Sequence, residues 1–174
     1  MKNQKDKLVD ILTTAIKFED NGLITYLEFA RKTKHETGKN MFITLAMDEN
    51  QHRSILEEQL NELLEKGKWK NVVVSKSEIE QITPTIREKQ KRTKGESGLS
   101  DVDALNTALD LEKKSVNYYR EKAESVGESE AKSLLLRLAE WEDSHFDLIQ
   151  AELDSINQTG LWFGIPEFRM DGKF

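Results

Sequence analysis

Three observations predict an all-α fold: a four-helix bundle made of two antiparallel helical hairpins joined by a long crossover. Apolar residues recur at spacings of three and four along four separate stretches, the periodicity of amphipathic helices. Only two prolines occur in 174 residues, and the content of 37% hydrophobic and 33% charged residues suits long helices better than a sheet or a disordered chain. The second half also repeats the first: subtracting 19 from 112 and 49 from 142 gives the same offset of 93. That offset pairs Thr14 with Thr107, Ala15 with Ala108, Tyr26 with Tyr119, Leu45 with Leu138, Ala46 with Ala139 and Leu60 with Leu153. A chain of this length holds one core of useful size, so residues 1–174 are expected to form a single domain with internal pseudo-symmetry.

The first helix is expected from about Lys5 to Lys32, with Leu8, Ile11, Leu12, Ala15, Glu19, Gly22, Tyr26, Phe29 and Ala30 on one face. The second runs from about Lys39 to Glu65 and carries Phe42, Leu45, Glu49, His52, Leu56, Leu60 and Leu63. The loop Thr33–Gly38 between them closes the first hairpin, residues 5–65. The crossover, residues 66–99, contains Gly67, Pro84, Gly95 and Gly98, with Val72–Val74 read as extended and Ser77–Lys91 as a short helix broken near Pro84. Ser100 is read as the cap of the third helix, whose face carries Val102, Leu105, Leu109, Glu112, Val116, Tyr119 and Ala123. After Gly127 the fourth helix carries Leu135, Leu138, Glu142, His145, Ile149, Leu153 and Ile156, completing the second hairpin, residues 100–157. The tail, residues 158–174, holds Trp162, Phe163, Ile165, Phe168 and Phe174 without helical period, and is expected to pack on the bundle or on a partner subunit.

Charged residues on these apolar stripes are the chemical signal. Glu49-Asn50-Gln51-His52 and Glu142-Asp143-Ser144-His145 are two Glu-x-x-His motifs, and each follows a further stripe glutamate, Glu19 or Glu112, at the same spacing. Residues at i and i+3 leave a helix on one face, so each motif grips from one side. Folding each hairpin brings its glutamate level with its motif. Four carboxylates buried together drive one another toward the protonated state unless positive charge joins them. Two divalent cations supply four positive charges against the four glutamates, with both imidazoles binding neutral. One glutamate from each of two helices and Glu-x-x-His from each of the others is the two-metal carboxylate pattern of helical bundles, a worked case among known bundle sites. Solvated helix faces fit poorly, because Leu45, Leu56, Leu138 and Ile149 flank the motifs on the same stripes. A buried salt-bridge network lacks lysine or arginine at matching heights.

Tyr26 and Tyr119 lie two turns beyond Glu19 and Glu112 on the same faces. They read either as core aromatics or as hydroxyls bonded to a ligand carboxylate that take part in catalysis. His35 falls in a loop between Lys34 and Glu36 and is expected in solvent; Trp141 is expected to serve packing. The chain has no cysteine, which removes disulfides, thiolate sites and iron–sulfur clusters. A net charge of −6 argues against general nucleic-acid binding, with the basic runs Lys66–Lys76 and Arg87–Lys94 read as solvated segments. Asp10 interrupts the early apolar run and no stretch has the length of a membrane span, so a cytoplasmic protein is expected.

On the two hairpins, roughly Leu8–Glu65 and Asp101–Ile156, the chain resembles the rubrerythrin-like branch of the ferritin-like superfamily. The resemblance implies a ferritin-like bundle with a non-haem di-iron site held by Glu19, Glu49, His52, Glu112, Glu142 and His145. It implies reduction of hydrogen peroxide or dioxygen at the diferrous centre, followed by re-reduction by an electron donor. Typical rubrerythrins carry a cysteine-bound rubredoxin domain that feeds those electrons. A chain without cysteine cannot build one, so an external donor protein is implied. Typical members also have an extra glutamate one turn past the third-helix ligand; Ser115 stands there, opposite Gly22 in the repeat. The ligand exchange attributed to that glutamate therefore does not carry over.

Two other functions use the same residues. A ferroxidase or iron-handling protein would oxidise ferrous iron for storage, and would need a hollow shell. A non-redox binding protein would hold zinc or manganese, which oxygen and imidazole ligands also accept. A homo-oligomer, in its simplest form a dimer, is expected, and the crossover is long enough to exchange hairpins between subunits.

Overall fold

A computed structural model describes residues 4–69 and 99–163 of the chain. Its helices are α1 (Gln4–Lys32), α2 (Glu36–Lys66), α3 (Leu99–Ser125) and α4 (Ser129–Thr159). Helix α1 packs along α2 and α3 along α4, while α1 also meets α3, which makes an all-α four-helix bundle. The extended segment and short helix read between residues 72 and 91, and the tail beyond Phe163, lie outside the described residues.

The stripes read from the sequence are the buried faces. On α1, Leu8, Ile11, Leu12, Ala15, Glu19, Gly22, Tyr26 and Ala30 are all buried. Helix α4 buries Leu135, Leu138, Glu142, His145, Ile149, Leu153 and Ile156. Phe29, Leu60, Val102 and Leu109 are half-buried and pack against the same cores from the edge. Gly67 ends α2 at φ 64° and Gly160 ends α4 at φ 72°, a left-handed cap that glycine adopts without a Cβ clash. Tyr118 donates from its hydroxyl to the Ile11 carbonyl at 2.9 Å and ties α3 to α1.

Two helix starts differ from expectation. Helix α3 begins at Leu99, so Ser100 lies in the first turn instead of capping it. The first four helical N–H groups lack intrahelical partners in either register, so the sequence signal tolerates a one-residue shift. Helix α2 begins at Glu36, three residues before Lys39, and the connection shrinks to Thr33–His35, with His35 exposed at the cap. Gly38 misleads here: it is a packing site, not a turn residue. A Cβ at Gly38 would sit 2.6 Å from Cε2 of Trp162, whose ring lies on the bare helix backbone. That ring meets Phe42 edge-on at 5.9 Å and donates from Nε1 to Asp101 Oδ2 at 3.3 Å, so the first residues of the tail do pack on the bundle. Gly38→Ala is expected to unseat Trp162 and cost about 1–3 kcal/mol, the overpacking penalty exceeding the gain in helix propensity. In a Trp162→Ala background the same change should stabilise, a reversal that thermal unfolding of the four proteins would reveal.

The core comes in two pieces. One cluster gathers Tyr26, Phe42, Leu45, Leu105, Leu148, Ile149 and Ile156; the other gathers Leu8, Leu12, Leu56, Tyr119, Leu134, Leu135 and Leu138. Every helix contributes to both, and on every helix the residues between the two contributions include the stripe glutamates and histidines. A polar layer therefore crosses the bundle at mid-height.

Candidate metal centre

All six polar stripe residues meet in that layer and are buried: Glu19, Glu49, His52, Glu112, Glu142 and His145 are at most 4% exposed. Ligand atoms of Glu19, Glu49, His52 and Glu142 lie within 4.8 Å of one another, and so do those of Glu49, Glu112, Glu142 and His145. Glu49 and Glu142 belong to both groups. Each group has three carboxylates and one imidazole, as the 93-residue repeat demands. The imidazoles stack at 5.5 Å between centroids, 18° from parallel.

Both histidines turn Nδ1 inward. His52 Nδ1 lies 3.1 Å from Glu19 Oε2 and 2.9 Å from Glu142 Oε1. His145 Nδ1 lies 3.3 Å from Glu49 Oε1, 3.5 Å from Glu142 Oε2 and 3.7 Å from Glu112 Oε1. Despite this proximity, Glu49 Oε1, both Glu142 oxygens and His145 Nδ1 make no hydrogen bond of acceptable geometry. Buried polar atoms left unbonded are costly and need a cause. These aim at shared points between them, which is the geometry a cation accepts and a hydrogen-bond network does not. The donor set, carboxylate oxygen and imidazole nitrogen, suits iron, manganese or zinc. The residues present thus fit metal.

A further ring of groups holds the cluster. Tyr26 donates its hydroxyl to Glu112 Oε1 and Tyr119 donates to Glu19 Oε1. Each tyrosine thus serves the glutamate of the other half, not the one seven residues before it. Asp48 was not singled out in the sequence, yet it is buried and His145 Nε2 donates to its Oδ2 at 3.2 Å. Trp141 Nε1 donates to the same oxygen at 3.3 Å, and its ring meets His52 edge-on at 4.2 Å. The available signal was spacing: Asp48 stands three residues after Leu45 and four before His52, at the border of the apolar stripe.

Burial and crowding set the protonation of the metal-free cluster. Burial, helped by the Glu142 charge, pushes the Glu112 carboxyl up to about 8. Glu49 is held well above the usual carboxylate range by burial and by the charges of Glu142 and Glu19. Burial opposes a charged His52, but Glu142 and Glu19 outweigh it and bring its pKa to about 9. His145 is also raised against burial, through its bond to Asp48 and the nearness of the Glu112, Glu142 and Glu49 carboxylates. Against the pull of burial, the same imidazoles keep Glu142 well below the usual range. Burial and the neighbouring carboxylates raise Tyr26 and Tyr119, so their hydroxyls remain donors. Glu49, Glu112, His52 and His145 thus all hold protons to higher pH than usual, which offsets the crowded negative charge where cations would otherwise do so.

The layer opens on one side. A cavity of about 210 Å³ is lined by Phe18, Asn21, Gly22, Tyr26, Glu49, Leu111, Glu112, Lys114 and Ser115 and reaches the Glu49 and Glu112 carboxylates. Gly22 makes room for Glu49: a Cβ there would lie 2.9 Å from Oε2. Ser115, its repeat equivalent, lies at the same opening.

No described helix is long and apolar enough to cross a membrane. No curated protein and no solved structure matched the chain. The family model for rubrerythrin does match, over residues 10–153, a span that takes in most of both hairpins and the whole buried cluster, and the chain belongs to the rubrerythrin family.

Proposed function

We propose that the chain is a non-haem di-iron oxidoreductase that reduces hydrogen peroxide or dioxygen, with electrons from a separate donor protein. The observation that carries this reading is the set of unbonded, buried carboxylate and imidazole atoms converging within two overlapping groups. Glu19 with His52 would hold one iron and Glu112 with His145 the other, with Glu49 and Glu142, common to both groups, available to each. When bound, two ferrous ions supply one electron apiece, which with two protons convert one peroxide to two waters. Tyr119 keeps Glu19 Oε1 occupied and leaves Oε2 facing His52, while Tyr26 holds the Glu112 carboxylate through the oxygen that also faces His145. The carboxylates that hold protons in the metal-free state are suited to take up and return protons as charge in the layer changes. Apolar clusters on both sides exclude bulk water, and the Gly22–Ser115 opening offers a route for a small oxidant.

The test is an anaerobic stopped-flow record of the ferrous-loaded protein mixed with peroxide. Oxidation by peroxide, faster than by oxygen, is expected; a ferrous centre that survives excess peroxide would sink this reading. Ser115→Leu, which puts a branched side chain in the opening, is expected to slow that oxidation about tenfold or more while the iron content stays at the parent level. Equal rates would place the route elsewhere.

A further inference from the structure

The two metal groups have identical donors, three glutamates and one histidine each, so any difference between them must come from what stands behind the donors. What stands behind them is not symmetric. The 93-residue repeat pairs Asp48 with Trp141, each immediately before a shared glutamate, Glu49 or Glu142. The fold brings this unlike pair together across α2 and α4, and a single oxygen, Asp48 Oδ2, receives both Trp141 Nε1 at 3.3 Å and His145 Nε2 at 3.2 Å. His145 is thereby held from behind by a carboxylate. His52 receives the indole edge at 4.2 Å, and its Nε2 has no hydrogen-bond partner.

We propose that Asp48 is a positioning residue that makes the two metal positions unequal, so that the His145–Glu112 position fills first and more tightly than the His52–Glu19 position. A carboxylate bonded to one imidazole nitrogen fixes the proton there, leaves the lone pair on the other nitrogen facing the metal, and increases its basicity. Asp48 does this for His145 Nδ1. Nothing comparable fixes His52: its Nε2 has no hydrogen-bond partner, so no group behind the ring sets which nitrogen faces the metal as a lone pair. Trp141 completes the device by holding the Asp48 carboxylate in place. The inference rests on the metal-binding part of the proposed function and is independent of its redox chemistry.

Titration of the metal-free protein with cobalt(II), followed by absorption and calorimetry, tests it. Two steps are expected, with dissociation constants about 10–100-fold apart, the range that such backing groups command. Glu112→Gln should abolish the tighter step and Glu19→Gln the weaker. Asp48→Ala should bring the two steps together, and Asp48→Asn, which keeps an acceptor oxygen, should restore part of the gap. The zinc-loaded protein gives a second readout: a slowly exchanging His145 Nε2 proton in the NMR spectrum, lost in Asp48→Ala and kept in Trp141→Phe. Two equal steps in the parent, or a gap unchanged in both Asp48 variants, would overturn the inequivalence and leave the two-metal reading standing. Failure to take up any cobalt would overturn both.

Discussion

Between pH 6.5 and 9 the metal-free protein should lose stability while the gain from bound metal grows. Glu112, raised from 4.5 to about 8, and His52, raised from 6.5 to about 9, bind protons more tightly in the folded chain than in the unfolded one. Their stabilising contribution is complete below the unfolded values and disappears as pH rises through the folded ones. Glu49 and His145 act in the same direction. Together they should cost the metal-free fold on the order of a few kcal/mol over this range. Metal reverses the slope. Binding must displace those same protons, so affinity rises with pH and protons are released into the buffer on loading. For a chain of this size the difference in Tm between zinc-loaded and chelator-treated protein should widen by roughly 5–15 °C from the lower pH to the upper. Thermal unfolding across pH measures it, and a constant difference would mean that cation and protons do not share a site. At the acid end the sign changes with Glu142, whose lowered pKa makes its contribution fall away below about pH 4.5.

Gly22→Ala should separate metal binding from folding. In a helix interior alanine is favoured over glycine by about 1 kcal/mol, and the three atoms nearest the added Cβ all belong to one flexible side chain. That side chain is Glu49, with Oε2 at 2.9 Å, Cδ at 3.0 Å and Cγ at 3.2 Å from the new atom. One of the two carboxylates common to both groups must move, and displacement of a shared ligand acts on both positions. Unfolding of the metal-free variant should stay within about 1 kcal/mol of the parent, while affinity for both cations falls by roughly 10–100-fold, as for lost ligand positioning elsewhere. Equal stability with undiminished affinity would remove Glu49 from the shared position. The glycine is thus a specificity feature of the site disguised as a weak spot in a helix.

Much of this is legible in the sequence. Each of the four stripes needed only the helical period, and six polar residues at repeated spacing on apolar faces pointed to one buried layer. The parts that escaped share a cause: they depend on which residues meet across the pseudo-twofold relation, and periodicity within one helix carries no such information. Tyr26 could be placed near a carboxylate, but not near Glu112 instead of Glu19. Asp48 and Trp141 stood beside candidate ligand positions in the sequence, and only the fold joins them through one oxygen. Gly38 failed for a different reason. Glycine signals both chain reversal and close approach, and the tryptophan that decides between them is 124 residues away, at Trp162.

The division of the core into two apolar clusters makes the molecule a dumbbell, greasy at both ends and salt-like at the waist. Most helical bundles breathe by fraying at their tips. In this one the tips are the better glued parts, and a chain stripped of its cations should loosen first at the middle, where α1 and α3 border the cavity. Amide exchange should then be quickest around Gly22 and Ser115, and loading the ions should quiet that girdle more than any other part of the bundle.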